Sequence, residues 1–398
     1  MRNFKSVSSI VKRIKPDNPL YIYRPKAIEK AASFFLKGFN GEVIFAVKTN
    51  PDKTVLKHLY SLGIRTFDVA SLEEVRLVSG LLPKAKCYFM HTVKSRSAIK
   101  EAYYKHGIRH FALDSFDELQ KIMDETQYAK DLGLFVRLSI PNTYSELNLA
   151  EKFGANLRDA VRLVKECRKH ASFLGITFHV GSQCMHPDAY RIAMRMAKQV
   201  VRKAKIEIDS LDIGGGFPSV YPGMMPPHTQ SYFDAIHEEF SRLFDKKKVR
   251  LACEPGRALV AESGSVLVKV ELRKNDHLYI NDGTYGNLFD AGFLHFIFPV
   301  KLWRVNGQHS DNIVPFSFYG PTCDSLDYMK GPFYLPEDVQ EGDYIEIGQL
   351  GAYGRTLATG FNGFGTEKEM VSVSENPIMS MYAETTKVAQ ESFEVVAA

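Results

Sequence analysis

The residue that most invites chemistry is Lys48, which follows the apolar run Val43, Ile44, Phe45, Ala46 and Val47 in GEVIFAVKTNP. Such a run reads as a strand buried on both faces, and therefore as part of a parallel sheet. A lysine at the mouth of that strand has an amine that desolvation can make nucleophilic. Further along, LDIGGGFP places Gly214, Gly215 and Gly216 after another apolar run, and EPGRAL places Gly256 and Arg257 after the next. Missing side chains there let backbone N–H groups come close to an anion, and the arginine adds positive charge. A phosphate cradle combined with an amine at another strand end points to a phosphorylated aldehyde held as a Schiff base, of which pyridoxal phosphate is the common case. Its ring nitrogen needs an anionic partner to stay protonated, and Glu254 is the right type of group. His179 can lie against the ring face and Ser182 can reach the phosphate. Taken singly, each residue has an ordinary reading: a snorkelling surface lysine, a tight glycine turn, a glutamate paired with Arg257, a core histidine and a turn serine.

The elements that must position these residues follow a regular beat. Apolar strand candidates recur at 43–48, 66–71, 87–92, 110–115, 134–139, 176–182, 211–216 and 250–257. Between them lie helical stretches such as SFDELQKIMDE and LRDAVRLVKECRKH, whose apolar residues repeat at three and four. Eight strands alternating with helices predict a (β/α)8 barrel, whose active site lies at the C-terminal ends of the strands. Several candidates carry a polar or glycine residue toward that end: Lys48, Asp68, His91, Asp114, Arg137, His179, Gly214 to Gly216 and Glu254. The loops after the seventh and eighth strands are the usual phosphate site of such a barrel. After about residue 265 the beat changes to short strands and turns, as in SVLVKVELRK, HLYINDG, IVPFSFYG and DYIEIGQLG. The expected organisation is an α/β barrel over 38–265 and a β-rich domain made of 1–37 and 266–398, with LYIYR at 20–24 joining the latter. From about residue 365 the chain is polar with few strand signals, and a partly mobile tail is expected.

Composition narrows the class. The chain has 398 residues, 45% of them hydrophobic, and a formal net charge of +5 spread among 51 Lys and Arg and 46 Asp and Glu. That is enough for a large core and too diffuse a charge for a nucleic-acid partner, so a small-molecule partner is expected. Cys87, Cys167, Cys184, Cys253 and Cys323 are widely spaced with no C-x-x-C pair, so neither a metal site nor a redox dithiol is expected. Reduced thiols fit the cytoplasm. The opening MRNFKSVSSIVKRIK lacks a secretory apolar core, and no run approaches the roughly 20 apolar residues of a membrane span, so no membrane association is expected.

In this order, FAVKTN, FDVAS, FHVGSQ, DIGGGFP, EPGR, GPTCDSLD and GAYG resemble the barrel-type pyridoxal-phosphate decarboxylases of basic amino acids, ornithine decarboxylases most of all. The resemblance runs from about residue 20 to about 365. It implies an alanine-racemase-like barrel, a C-terminal β domain and a head-to-tail homodimer with two shared sites. It also implies that Lys48 carries the cofactor covalently, that His179 stacks on its ring and that Glu254 pairs with the ring nitrogen. Ser182, Gly215, Gly216, Gly256, Arg257 and Tyr353 fall in its phosphate-binding motifs, and Asp68 and Arg137 match positions near the cofactor. Cys323 matches a residue donated by the other subunit that protonates the former α-carbon, a role a thiol can fill near neutral pH. Its ordinary alternative is a small buried hydrophobe. Asp324 matches the position that meets the distal ammonium of the substrate, and Phe361 an aromatic position beside it, with a core phenylalanine as the other reading. Lys152, in EKFGA, matches a lysine that reaches across the dimer toward Asp327.

The resemblance implies decarboxylation of L-ornithine to putrescine in polyamine biosynthesis, with L-lysine to cadaverine as an alternative. Related diaminopimelate decarboxylases characteristically carry Glu where Asp324 stands, which disfavours that substrate; a racemase on the same fold and a non-catalytic, antizyme-inhibitor-like binder are the other readings. One element of the animal enzymes, a Tyr-Asp-His after the Y-G matching Tyr285 and Gly286, is replaced here by NLFDAGFLHFIFP. Asp290 and His295 are the candidates to stand in for it.

Overall fold

The computed structural model describes residues 1–141, 144–147, 152–365 and 369–382. It divides into two compact units, Ala32–Pro218 with Pro226–Gly256, and Met1–Ala31 with Ser219–Met225 and Arg257–Ala398. The dividing lines therefore fall at 31/32 and 256/257 rather than at 37/38 and 265/266, and Ser219–Met225 goes with the sheet-rich unit. Tyr221 gives the physical reason, because it packs among the buried residues of that unit and its hydroxyl accepts from Arg257.

The first unit is a closed barrel of eight parallel strands: Glu42–Ala46, Thr66–Val69, Lys86–Phe89, His110–Leu113, Gly133–Arg137, Phe173–Thr177, Ser210–Asp212 and Arg250–Cys253. The last pairs with the first through Ala252↔Glu42 and Cys253↔Val43. After each of the first five strands the chain runs into a residue able to cap a helix. Asp52, Ser71, Ser95, Ser115 and Asn156 each accept a backbone N–H from the first turn of the helix they precede. Those helices cover the barrel with apolar stripes, as Ala160, Leu163, Val164 and Cys167 do in Leu157–His170. Inside, Ile44, Tyr88, Met90, Ala112, Phe135 and Ala252 fill the barrel, and the Tyr88 ring stacks on His110 at 4.1 Å.

Each strand is shorter at its C-terminal end than its apolar run. The first stops at Ala46, so Lys48 sits in the 3₁₀ turn Val47–Thr49, and the seventh stops at Asp212, before the glycines. The sixth shows the largest change, running over 173–177 instead of 176–182. His179 thus lies beyond the ladder, and Ser182 begins a separate strand, Ser182–Cys184, paired antiparallel with Ser145–Leu147.

In the second unit Leu20–Tyr23 pairs antiparallel with Gly264–Lys274, which places LYIYR in the β-rich domain. His277–Ile280, Ile313–Tyr319, Tyr328–Pro336, Val300–Trp303 and Tyr344–Ile347 extend the same nine-stranded sheet. Its core is aliphatic and aromatic, with Phe318 stacked on Phe333 at 4.1 Å. The expected strand-poor end is corrected at Met370–Val373, which pairs in parallel with both Leu20–Tyr23 and Arg2–Phe4. A four-residue strand with partners near the opposite terminus gives no local signal. The expected mobile tail, 383–398, lies outside the described residues. Among the described residues no helix is long and apolar enough to cross a membrane.

Candidate active site

The barrel ladder sets the first contact. Ala46 and Asp68 are register partners, and two residues beyond Ala46 the Lys48 Nζ comes within 3.2 Å of Asp68 Oδ2. Asp68 is buried, whereas the lysine side chain is 43% exposed, so the amine is oriented from below and open from above. Glu74 steadies the same loop by accepting from the Ala70 N–H at 2.6 Å.

Glu254 follows the eighth strand, and its own N–H donates to Gly214 O at 2.8 Å. Its carboxyl is buried and shares a hydrogen bond with Asp212, while Oε1 has no hydrogen-bond partner among the described residues. Burial, then the charges of Asp212 and Asp68, hold it well above the usual carboxylate range, with Lys48 pulling the other way. Asp212 is also raised by burial, although its Oδ1 accepts from Gly214 N at 2.9 Å and its Oδ2 from Thr177 Oγ1 at 3.3 Å. A buried carboxyl oxygen left without a partner is costly, and nearly all such atoms in folded proteins have one. A protonated ring nitrogen supplies both the donor and the charge that this oxygen lacks.

Around this acid the remaining barrel residues converge. His179 is half-buried, and its Nδ1 accepts from Gly181 N at 3.0 Å, which leaves the proton on Nε2. Burial, followed by the positive charges of Arg137 and Lys48, keeps the imidazole neutral, as a ring that stacks on a cationic heterocycle must be. A Cβ at Gly215 would lie 2.7 Å from Glu254 O and 3.1 Å from His179 Nε2, so only glycine admits both. Gly216 has φ +99° and Gly256 sits where a Cβ would meet Thr49 Oγ1 at 2.1 Å. These positions are packed too closely for any side chain, and a glycine backbone of this kind is what a phosphate cradle uses. Arg137 ends the fifth strand with its guanidinium 5.4 Å from the Phe153 ring and feels the carboxylates of Glu254, Asp114 and Asp68. The barrel residues present therefore fit pyridoxal phosphate: an amine, a buried acid with an unpartnered oxygen, a neutral imidazole and a glycine-rich loop.

The sheet-rich unit holds the other expected residues in two groups. Arg257 is buried, with its guanidinium 5.0 Å from the Tyr353 ring, so those two lie together. Its NH1 donates to Tyr221 Oη at 2.7 Å and its NH2 to Asp290 Oδ2 at 3.4 Å, while Nε has no partner. Asp290 is thereby corrected as a stand-in for the absent Tyr-Asp-His aspartate, because it is buried against an arginine. The ordinary reading of Glu254 as the partner of Arg257 is replaced by the same pair.

In the second group Cys323 is the one exposed cysteine of the five, with its N–H donating to Asn362 Oδ1 at 3.0 Å. Asp324 accepts from the Tyr285 hydroxyl and from Leu326 N, and these bonds hold it below the ordinary aspartate range. Tyr285 also packs against Phe361, ring centres 4.9 Å apart, and Phe361 is 42% exposed rather than a core residue. Asp327 is buried and spent on its own loop, accepting from Thr284 N at 2.7 Å, Thr322 N at 3.1 Å and Thr322 Oγ1 at 2.8 Å. Those bonds join the 284 and 322 turns and fix the carboxylate that the resemblance offers to Lys152 of a second copy.

Three contributors were not singled out from the sequence: Asp212, Tyr221 and Lys94. An aspartate inside the apolar LDIG was the available signal for the first. Lys94 is fully buried, 2.9 Å from Glu118 Oε1, with its Nζ also donating to His91 O at 2.8 Å and Ala112 O at 2.6 Å. Burial pushes it down to about 8, and Glu118 opposes that. Lys94→Met would leave Glu118 to Lys121 but strand two carbonyls, and is expected to cost about 1–3 kcal/mol in urea unfolding followed by circular dichroism.

Comparison with known proteins shows the family. Residues 26–261 match the family described as pyridoxal-dependent decarboxylase, pyridoxal binding domain. A lysine/ornithine decarboxylase of Selenomonas ruminantium is 30% identical over 380 residues, covering 92% of this chain and 92% of that protein. An antizyme inhibitor 2 of Xenopus laevis is 30% identical over 351 residues, covering 80% and 73%. Among solved structures, the Paramecium bursaria Chlorella virus arginine decarboxylase superimposes with a TM-score of 0.82 at 27% identity, covering 92% of this chain and 99% of that one.

Proposed function

The chain belongs to the pyridoxal-dependent decarboxylases, and from that premise we propose that it converts L-ornithine to putrescine, with L-lysine to cadaverine as its second reaction. The observation that carries this substrate class is Asp324, a half-buried carboxylate kept ionised by Tyr285 and the Leu326 N–H, and shaped to meet a single distal ammonium. A second substrate carboxylate, as in diaminopimelate, would face that charge with no cation supplied by the loop.

When bound, pyridoxal phosphate supplies an electron sink for the bond to the departing carboxylate. The chain's own residues do the rest. Lys48 would hold the cofactor, with Asp68 positioning its Nζ. Glu254 would pair with the ring nitrogen and His179 would lie against the ring, while Ser182 and the glycine segments of the barrel, and Arg257 and Tyr353 of the sheet-rich unit, are the residues that would hold the phosphate. Cys323 delivers a proton from Sγ to the former α-carbon. Its exposure suits a residue offered to the barrel of a second copy, which supports a homodimer with shared sites.

The test is a panel of ornithine, lysine, arginine and diaminopimelate, reading both carbon dioxide and the amine product. Ornithine is expected to lead, with lysine within about 10- to 200-fold in kcat/KM, since one methylene separates them. Asp324→Ala should lower both values while leaving cofactor affinity intact. Faster turnover of diaminopimelate than of ornithine would sink the substrate assignment. The antizyme-inhibitor relative raises a non-catalytic reading, which predicts a purified protein without bound cofactor; Lys48 and Glu254 predict a yellow one.

A further inference from the structure

The buried lysine at position 94 has no part in the chemistry described above, and what it fixes is informative. Between the third strand and the helix Arg96–His106, Lys94 ties the His91 carbonyl to the Ala112 carbonyl and to Glu118. Lys121 closes the clamp, with its Nζ 2.6 Å from Glu118 Oε2 and 2.6 Å from Lys94 O. The turn that carries His91 is therefore pinned from inside the protein.

The ring of His91 is fixed as well. Its Nδ1 accepts from Val93 N at 3.0 Å, which places the proton on Nε2. Its edge meets the face of Phe153 at 5.2 Å and 74°. Phe153 is in turn held by its neighbours, because Gly154 N donates to Asp114 Oδ2 at 2.8 Å and Ala155 N to Arg137 O at 2.8 Å. Arg137 and Lys152 approach the same phenylalanine ring at 5.4 and 5.1 Å. His91 thus stands at the rim of the barrel mouth as a rigid, half-buried N–H donor.

The surroundings say what that donor would meet. Burial, followed by the positive charges of Lys94, Arg137, Lys152 and Lys48, keeps the imidazole neutral. A neutral donor in a positive field suits an anion, and the anion that an amino acid brings and its decarboxylated product lacks is the α-carboxylate. We propose that His91 is a positioning residue whose Nε2–H orients the α-carboxylate of the incoming amino acid, with Phe153 setting the ring angle and the Lys94 clamp setting the backbone. This rests on the amino-acid decarboxylase reading.

The test compares ligands with and without the carboxylate on the holoenzyme. His91→Ala should raise the KM for ornithine about 10- to 100-fold, the effect of losing a hydrogen bond to a charged group. Putrescine affinity, measured by calorimetry, and the dissociation constant of pyridoxal phosphate should stay within about twofold of wild type, as expected where no contact is lost. His91→Gln, which can place an amide N–H near the Nε2 position, should recover most of the loss. His91→Asn, which keeps an acceptor for the Val93 N–H but is too short to reach, should not. Equal weakening of ornithine and putrescine, or no change in either, would overturn the assignment. A wild-type protein that turns over no basic amino acid would instead overturn the decarboxylase reading beneath it.

Discussion

Lys48→Arg is expected to lower kcat by on the order of 10⁴-fold, at the upper end of what one positioned proton-transferring group contributes, while the barrel stays folded. The choice of arginine matters. Asp68 is buried and faces the Lys48 Nζ at 3.2 Å, so a neutral replacement would leave an uncompensated carboxylate and mix a folding defect into the kinetics. A guanidinium keeps the charge beside Asp68 but is always protonated and cannot act as a primary-amine nucleophile. Because the lysine side chain is 43% exposed, the bulkier head has room to turn outward. The independent readout is mass: borohydride treatment should add the cofactor's mass covalently to wild type and not to the variant. A variant that gained the mass at another lysine would show that the amine had been placed wrongly.

How much of this was readable beforehand depends on the distance over which each feature is encoded. The barrel was legible because its strands are local apolar runs and its helices carry their own three-and-four periodicity. The glycine loops proposed for the phosphate were legible as places of close approach, because the glycines mark that in the sequence itself. Strand ends were less so: the sixth strand starts at Phe173 and has ended before His179, since the backbone turns to φ +94° at Gly181 and no apolar count registers a turn of that kind. Long-range partners were not legible at all. Asp290 read as a free aspartate near a missing substrate element, and only the fold brings it to Arg257, 33 residues earlier. Met370–Val373 read as tail because its two partners lie at the start of the chain. Asp212 was hidden for a related reason, since a buried acid looks like an interruption of a strand until its neighbour Glu254 is seen beside it.

That neighbour gives the most diagnostic substitution, because Glu254→Gln should move stability and activity in opposite directions. In the cofactor-free protein the Glu254 carboxyl is held well above its ordinary value of 4.5 by burial and by Asp212 and Asp68, and its Oε1 is unpartnered. The folded protein therefore binds that proton more tightly than the unfolded chain. The corresponding stabilisation is complete below the ordinary carboxyl pKa and is lost as pH rises through the raised folded value. Glutamine is nearly isosteric and cannot ionise, so this part of the decline disappears. The cofactor-free variant should melt at a higher temperature than wild type at neutral and alkaline pH, with the two curves converging in acid. The remaining slope belongs to other raised acids such as Asp212 and Asp282. With pyridoxal phosphate bound the sign reverses. The glutamate then has a cationic partner that suits its buried oxygen, and an amide can neither match that charge nor hold the ring proton. Turnover of ornithine should fall on the order of 10²- to 10³-fold, the usual consequence of removing one preorganised electrostatic partner. Cofactor-induced stabilisation should shrink with it. Thermal melts across pH with and without cofactor, alongside kcat, separate the two effects. A variant that kept full turnover, or whose cofactor-free melting curve tracked wild type at every pH, would remove Glu254 from the role its buried, unpaired oxygen assigns to it.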